Sequence, residues 1–132
     1  MYRFRFALKL AAPVFFLVGA LHLMLGVGAE VMLGARLPPE ALADATLDSQ
    51  NRFYGVAFTL YGLLLFICSS NVSRYSTILR CLFWVFLAAG CARLVSMAAH
   101  GLPAPPVIAL AASELLLPPL MLWWLARVEN EL

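Results

Sequence analysis

Four long apolar stretches, separated by short polar segments, make up most of the 132-residue chain. They run approximately over residues 10–29, 53–70, 81–99 and 107–126. An α-helix of about 20 residues is long enough to cross a hydrocarbon core of about 30 Å. A transmembrane β-barrel requires an alternation of apolar and polar residues, which these stretches lack. The pattern therefore predicts four transmembrane helices.

The composition also indicates a membrane protein. Hydrophobic residues make up 64% of the chain and charged residues 12%, whereas ordinary soluble domains hold roughly 45–50% and 25%. So few polar side chains cannot cover the surface of a small soluble fold, which excludes a soluble enzyme and a disordered tail. The net charge of +2 is too small to indicate a nucleic-acid partner. We expect an all-α fold, an integral membrane four-helix transmembrane bundle, formed by a single domain over residues 1–132.

The distribution of basic residues predicts the orientation of the chain, because Lys and Arg accumulate on the cytoplasmic side of membrane proteins. Six basic residues lie at the side of the spans that holds both termini. On the opposite side, Arg36 and Arg52 are offset by four acidic residues. Both termini are therefore expected in the cytoplasm and the loop 30–52 outside, with a short helix over residues 38–47. The six basic residues are Arg3, Arg5, Lys9, Arg74, Arg80 and Arg127.

Polar residues inside the predicted spans fall at one depth. At a helical rise of about 1.5 Å per residue, His22, Arg93 and Glu114 all lie roughly 10 Å below the outer boundary of the membrane. Thr59 and Tyr61 of the second span fall near the same level. Small residues beside these positions favour close contacts between helices. We therefore expect the polar residues to face inward and to line a cavity in the outer leaflet.

Arg93 and Glu114 are expected to pair with each other. A lone basic residue near the centre of a span costs at least about 2.5–3.5 kcal/mol, and a guanidinium–carboxylate pair satisfies both groups. Pro118, followed by Pro119, removes the helical hydrogen-bond donor of the Glu114 carbonyl and predicts a helix kink. Two interpretations stay open: the pair builds a functional polar cavity, or it only holds the third and fourth spans together.

The candidate site is this polar layer, in a ligand-binding or a structural role, with Arg52 at its rim. The sequence contains no motif for nucleophilic catalysis, phosphate binding or metal coordination, and its three cysteines have no CxxC spacing. We therefore assign no catalytic residue and no metal ligand, and the sequence identifies no cofactor. The residues of the predicted layer are His22, Arg52, Thr59, Tyr61, Arg93, Ser96 and Glu114.

Three segments together resemble a known family. Residues 48–55 (DSQNRFYG) open the second span, residues 89–96 (AGCARLVS) lie in the third, and residues 113–119 (SELLLPP) lie in the fourth. In this order they resemble the bacterial domain of unknown function 4345, a family of small four-helix membrane proteins. The resemblance covers nearly the whole chain and implies the four-helix architecture in a bacterial inner membrane, without implying an activity. The matching positions are Arg52, Gly55, Arg93, Ser96, Gly101, Glu114 and Pro118.

Three classes of function stay open. The first is a non-catalytic protein, either an accessory subunit of a larger membrane complex or a binder of a lipid- or quinone-like molecule in the polar cavity. The second is a membrane enzyme or redox partner that acts on an amphiphilic substrate through Arg93 and Glu114. The third, a proton-coupled transporter, rests on one carboxylate and one histidine. A looser similarity to DoxX-like membrane proteins, some linked to quinone or sulfur redox chemistry, is an analogy of architecture only.

The absence of a large soluble domain and of a cofactor motif favours the non-catalytic class. The expected partners are membrane lipids, and either a larger membrane protein complex or further copies of this chain as a homo-oligomer. No nucleic-acid partner is expected.

The predicted orientation can be tested with single-cysteine variants in a protein that lacks its three native cysteines. We expect a membrane-impermeant thiol reagent to label a cysteine at position 45, which lies in the outer loop, in intact cells. Cysteines at positions 2 and 130 should react only after the membrane has been opened. The reverse labelling pattern would contradict the orientation.

Overall fold

The computed structural model describes residues 1–131, which form six helices and no strand. Four of these helices are 24 to 26 residues long and apolar enough to cross a membrane. The predicted all-α fold with four membrane-spanning helices is thereby confirmed, and the chain is a multi-pass membrane protein. In chain order the helices are α1 (Tyr2–Leu25), α2 (Gly28–Met32), α3 (Pro39–Leu42), α4 (Ala45–Cys68), α5 (Ser76–His100) and α6 (Pro105–Asn130).

The first loop is shorter than the sequence predicts, because α4 begins at Ala45 rather than close to residue 53. Asp44 is the reason for this early start. Its carboxylate accepts a hydrogen bond of 2.8 Å from the backbone N–H of Leu47, and an aspartate that satisfies a free N–H in this way stabilises a helix N-terminus. The short helix predicted over residues 38–47 is correspondingly reduced to α3, and residues 45–47 belong to α4.

The chain divides into two compact units, and each is described by itself. The first unit is formed by residues 7–67, which include most of α1 and α4 and the short helices between them. The second unit combines residues 1–6 with the chain from Cys68 onward, and therefore includes α5 and α6.

In the first unit, α1 and α4 approach each other at glycines. A Cβ atom added to Gly55 would lie 2.7 Å from the carbonyl oxygen of Gly19 and 2.7 Å from the backbone nitrogen of Leu23. A Cβ atom on Gly62 would lie 2.9 Å from the carbonyl oxygen of Ala12. These distances are too short for any residue with a side chain. Small residues of this kind allow transmembrane helices to pack through their backbones.

In the second unit, α5 and α6 form an antiparallel hairpin with ion pairs along it. The guanidinium of Arg80 pairs with the carboxylate of Glu129, and a second pair lies further along the two helices. Between these pairs, a Cβ atom on Gly90 would lie 2.9 Å from Cγ of Leu115 and 3.0 Å from the carbonyl carbon of Glu114. Gly90 therefore lets the two backbones approach closely beside the second pair.

The aromatic ring of Phe4 closes the second unit at the end that holds the start of α1. Phe4 is fully buried, and its ring meets those of Trp124 and Phe83 edge-on, with centroid distances of 5.3 and 6.5 Å. Arg5 donates a hydrogen bond of 2.7 Å from Nε to the carbonyl oxygen of Ser69, just beyond the end of α4. A cation at this position satisfies a carbonyl that no longer has a helical donor.

The glycine contact between α1 and α4 predicts a clear effect of a single methyl group. We expect Gly55→Ala to lower the free energy of unfolding in detergent by about 1–3 kcal/mol, because the added atom would overlap backbone atoms of α1. Gly28→Ala is the matched control, since its Cβ atom would meet Cβ of Leu25 at an ordinary 3.5 Å. Equal stabilities of the two variants would contradict the packing described for α1 and α4.

Candidate functional site

Arg93 of α5 and Glu114 of α6 form a bidentate ion pair in the second unit. Nε of Arg93 donates to Oε2 of Glu114 over 2.6 Å, and Nη2 donates to Oε1 over 3.0 Å. Both carboxylate oxygens of Glu114 are therefore engaged by the guanidinium. The contact expected from the matched depths of the two residues is present.

The two partners differ in accessibility. The side chain of Glu114 is 6% exposed, whereas that of Arg93 is 32% exposed. The close contact at Gly90 brings the backbone of α6 against α5 beside Glu114, so the carboxylate is enclosed by the hairpin. The pair thus has an enclosed acidic side and an accessible basic side.

Arg93 keeps hydrogen-bond donors that Glu114 does not use. The ion pair engages Nε and one N–H of Nη2, and a guanidinium has five N–H donors in all. Within residues 1–131, the only buried side-chain nitrogen or oxygen without a hydrogen-bond partner is Oδ1 of Asn51. Nη1 of Arg93 is therefore accessible rather than enclosed without a partner.

Arg93 is also one of the residues that line a partly open cavity of about 280 Å³. On α5 the cavity is lined by residues of one helical face, which include Arg93, Ser96 and Met97. The turn that follows contributes Gly101 and Pro103. Glu114 does not belong to its lining. The full lining is Ala92, Arg93, Ser96, Met97, Gly101, Pro103 and Val107.

Pro118 and Pro119 lie in the interior of α6, which continues through them. Pro118 is fully buried, and α6 extends without a break from Pro105 to Asn130. Because Pro118 has no N–H, the carbonyl of Glu114 receives no helical hydrogen bond from it. A change in the direction of α6 at this point stays a prediction.

His22 of α1 lies in the first unit and is almost fully buried. Its Nδ1 lies 2.9 Å from the carbonyl oxygen of Val18, and because a carbonyl can only accept, Nδ1 carries the proton that is donated. Its Nε2 lies 3.6 Å from Oε1 of Glu30, and its ring lies 5.4 Å from that of Phe58. The closest acidic partner of His22 is therefore Glu30 of α2.

Arg52 of α4 holds the C-terminal end of α1. Its Nη1 donates to the carbonyl oxygen of Leu23 over 2.6 Å, and its Nε donates to Oδ2 of Asp48 over 2.7 Å. Gly26 turns the chain here with φ of +54°, and a Cβ atom on it would overlap the carboxylate of Asp48. Arg52 therefore meets an acidic residue of its own segment and a free helix carbonyl, as expected for a cation at a helix C-terminus.

Thr59 and Tyr61 contact α1 rather than a cavity described by the structure. The hydroxyl of Thr59 donates to the carbonyl oxygen of Gly55 over 2.8 Å, and its Oγ1 lies against Gly19. The ring of Tyr61 lies 4.6 Å from that of Phe15. Both side chains contribute to the packing of α1 on α4.

The predicted layer therefore falls into two groups. Arg93, Ser96 and Glu114 lie in the second unit, where the structure brings them together around one ion pair and one cavity. The other four predicted residues lie in the first unit and have partners of their own there. A single cavity lined by both groups stays a prediction.

Sequence reasoning missed several partners of these residues. The position of Glu30 after the first apolar stretch predicts that it lies in the outer loop. In the structure, the turn at Gly26 places Glu30 close to His22. Pro103 and Val107 line the cavity through the geometry of the α5–α6 turn, which leaves no signal in hydropathy. Asn51 is buried with a free Oδ1, although its neighbours in the sequence are polar.

The comparisons with known proteins give one match. The sequence model of a family described as Domain of unknown function (DUF4345) matches residues 3–125. Neither the comparison with curated proteins nor that with solved structures gives a match.

The different exposure of the two partners predicts an asymmetric mutant cycle. Arg93→Leu leaves an enclosed carboxylate and should lower the free energy of unfolding by about 3–5 kcal/mol. Glu114→Leu should lower the free energy of unfolding by a smaller amount, because Arg93 is more exposed than Glu114 and also lines the cavity. We expect the double variant to be more stable than Arg93→Leu alone, as measured by unfolding in detergent. If the double variant lost the sum of the two single reductions in unfolding free energy, the two residues would not be coupled.

Proposed function

Because the chain belongs to the domain of unknown function 4345 family, whose description assigns no activity, we propose a function from the site: the protein is a non-catalytic component of the bacterial inner membrane that binds an amphiphilic, lipid- or quinone-like molecule beside Arg93. The observation that carries this proposal is the bidentate pair. It holds the guanidinium through Nε and Nη2 and does not use Nη1, and Arg93 also lines a cavity.

The charge of the pair determines which ligand groups fit. Glu114 neutralises Arg93 at close range, so the cavity presents N–H donors without a full positive charge. Such a site favours a neutral hydrogen-bond acceptor, for example the carbonyl oxygen of a quinone or of a lipid ester, over a strongly anionic group. The hydroxyl of Ser96 supplies a further donor or acceptor at the same cavity.

The size of the cavity supports an amphiphilic ligand. Pockets that enclose a whole drug-sized molecule typically measure about 300–1,000 Å³, and this cavity, at about 280 Å³, lies at the lower limit. It can hold a ring or a headgroup, while a long apolar tail stays outside in the lipid. Met97 and Val107 give the cavity apolar walls that suit a ring or the first methylene groups of a chain.

The geometry argues against an acid–base role for Glu114. Both of its oxygens accept hydrogen bonds from Arg93, and its side chain is enclosed rather than part of the cavity lining. A general acid or base must reach the reacting group directly or through one water molecule. A catalytic use of the pair would therefore require the ion pair to open first.

The proposal is tested by purifying the full chain with its native lipids and identifying co-eluting molecules by mass spectrometry. We expect one amphiphile with an acceptor headgroup at a constant ratio to the protein. Ala92→Phe should fill the cavity and remove this molecule. Ala88→Phe is the matched control: it makes the same change at an exposed position on the same helix, outside the cavity lining.

Two results would contradict the binding role. Retention of the same molecule by Ala92→Phe would show that it binds elsewhere. Co-elution of a stoichiometric protein without any specific small molecule would favour the accessory-subunit function instead, and the cavity would then be part of the contact with that protein.

A further inference from the structure

A second and larger cavity lies at the other end of α6. It measures about 600 Å³ and is formed between the first residues of α1 and the last turns of α6, all within the second unit. Its lining combines aromatic rings with charged groups. The residues concerned are Met1, Tyr2, Arg3, Trp123, Trp124, Arg127, Val128 and Glu131.

The two arginines of this cavity have no acidic partner among residues 1–131. Neither Arg3 nor Arg127 has a carboxylate oxygen within 4.0 Å in the part of the chain that the structure describes. By contrast Arg80, on α5, is neutralised by Glu129. With Glu131 as the one acidic residue in the lining, the cavity side chains carry a net positive charge.

Arg127 contacts the ring of Trp123 and keeps its N–H groups free to donate hydrogen bonds. Its guanidinium carbon lies 4.6 Å from the centroid of the Trp123 ring, a distance typical of a cation–π contact. The side chain of Arg127 makes no hydrogen bond and no ion pair within residues 1–131, so its N–H groups stay available. The arginine is therefore positioned in advance for an acceptor in the cavity.

The floor of the cavity is formed by packed side chains. Trp124 lies edge-on against Phe4 with centroids 5.3 Å apart, and Phe4 packs in turn on Phe83. Val128 is also buried. A ligand that enters the cavity would thus meet packed side chains at its floor, whereas both arginines are exposed and would lose side-chain freedom on binding.

The geometry points to a binding site for the phosphate group of an anionic phospholipid, such as phosphatidylglycerol. Guanidinium groups bind phosphate oxygens through charge-assisted hydrogen bonds, and Arg3 and Arg127 present two of them from different helices. Tryptophans at helix ends are typical of the depth at which lipid headgroups lie. An anionic headgroup matches the net positive lining, whereas the charges of a zwitterionic headgroup cancel.

This site is independent of the cavity at Arg93 and of the function proposed for it. The two linings share no residue. They also differ in charge, because Arg93 is neutralised by Glu114, whereas Arg3 and Arg127 have no acidic partner in the described part of the chain. Each site can therefore be disabled while the other is kept.

The test is native mass spectrometry of the full chain in detergent, titrated with phosphatidylglycerol, phosphatidylethanolamine or inorganic phosphate. We expect Arg3→Gln and Arg127→Gln each to weaken binding of phosphatidylglycerol about fivefold, as the loss of one basic residue near a lipid surface predicts. The double variant should bind phosphatidylglycerol more weakly than either single variant, and because the two arginines share one phosphate their effects need not be additive. Arg74→Gln is the matched control, because Arg74 is exposed, stacks on Tyr75 and does not line the cavity.

Three results would overturn the proposal. An equal loss with Arg74→Gln would mean that general positive charge attracts the lipid. Equal affinity of the unchanged protein for phosphatidylglycerol and phosphatidylethanolamine would exclude selection of an anionic headgroup. Binding of inorganic phosphate that depends on both arginines, without preference among lipids, would assign the cavity to a free phosphate ion.

Discussion

The bidentate contact between Arg93 and Glu114 is the constraint on which the α5–α6 hairpin depends. In a medium of low dielectric constant an unpaired charge is costly, above all for the enclosed carboxylate of Glu114. The two helices approach closely enough for both N–H···O bonds to form. Gly90 makes this approach possible, because any side chain at that position would push the backbone of α6 away. The pair engages Nε and Nη2 of the guanidinium, and Arg93 also contributes to the lining of the cavity.

Arginines also satisfy the backbone at helix ends in both units. Arg52 donates to a carbonyl in the last turn of α1, and Arg5 donates to one directly after α4. The last carbonyls of a helix have no partner within it, and a cation placed there also interacts favourably with the helix dipole. These two arginines therefore have structural roles, which distinguishes them from Arg3 and Arg127.

The sequence was sufficient for the fold because four apolar stretches of membrane-spanning length leave few alternatives. It was also sufficient for the pairing of Arg93 with Glu114, since the cost of a lone charge restricts the choice of partners. Hydropathy does not locate the start of α4, because it marks only where the helix becomes apolar. The helix itself begins at Ala45, where Asp44 caps it, and its first two turns are mostly polar. The contact of His22 with Glu30 depends on a turn at Gly26 that no periodicity encodes.

The ion pair between α5 and α6 has a consequence for how the chain enters the membrane. If α5 were to insert alone, Arg93 would pass into the lipid before Glu114 could neutralise it. The four residues between the two helices leave room for only a tight turn, so the partner carboxylate follows the guanidinium almost at once. Insertion of α5 and α6 in a single concerted step would therefore bring Arg93 into the membrane already neutralised by Glu114.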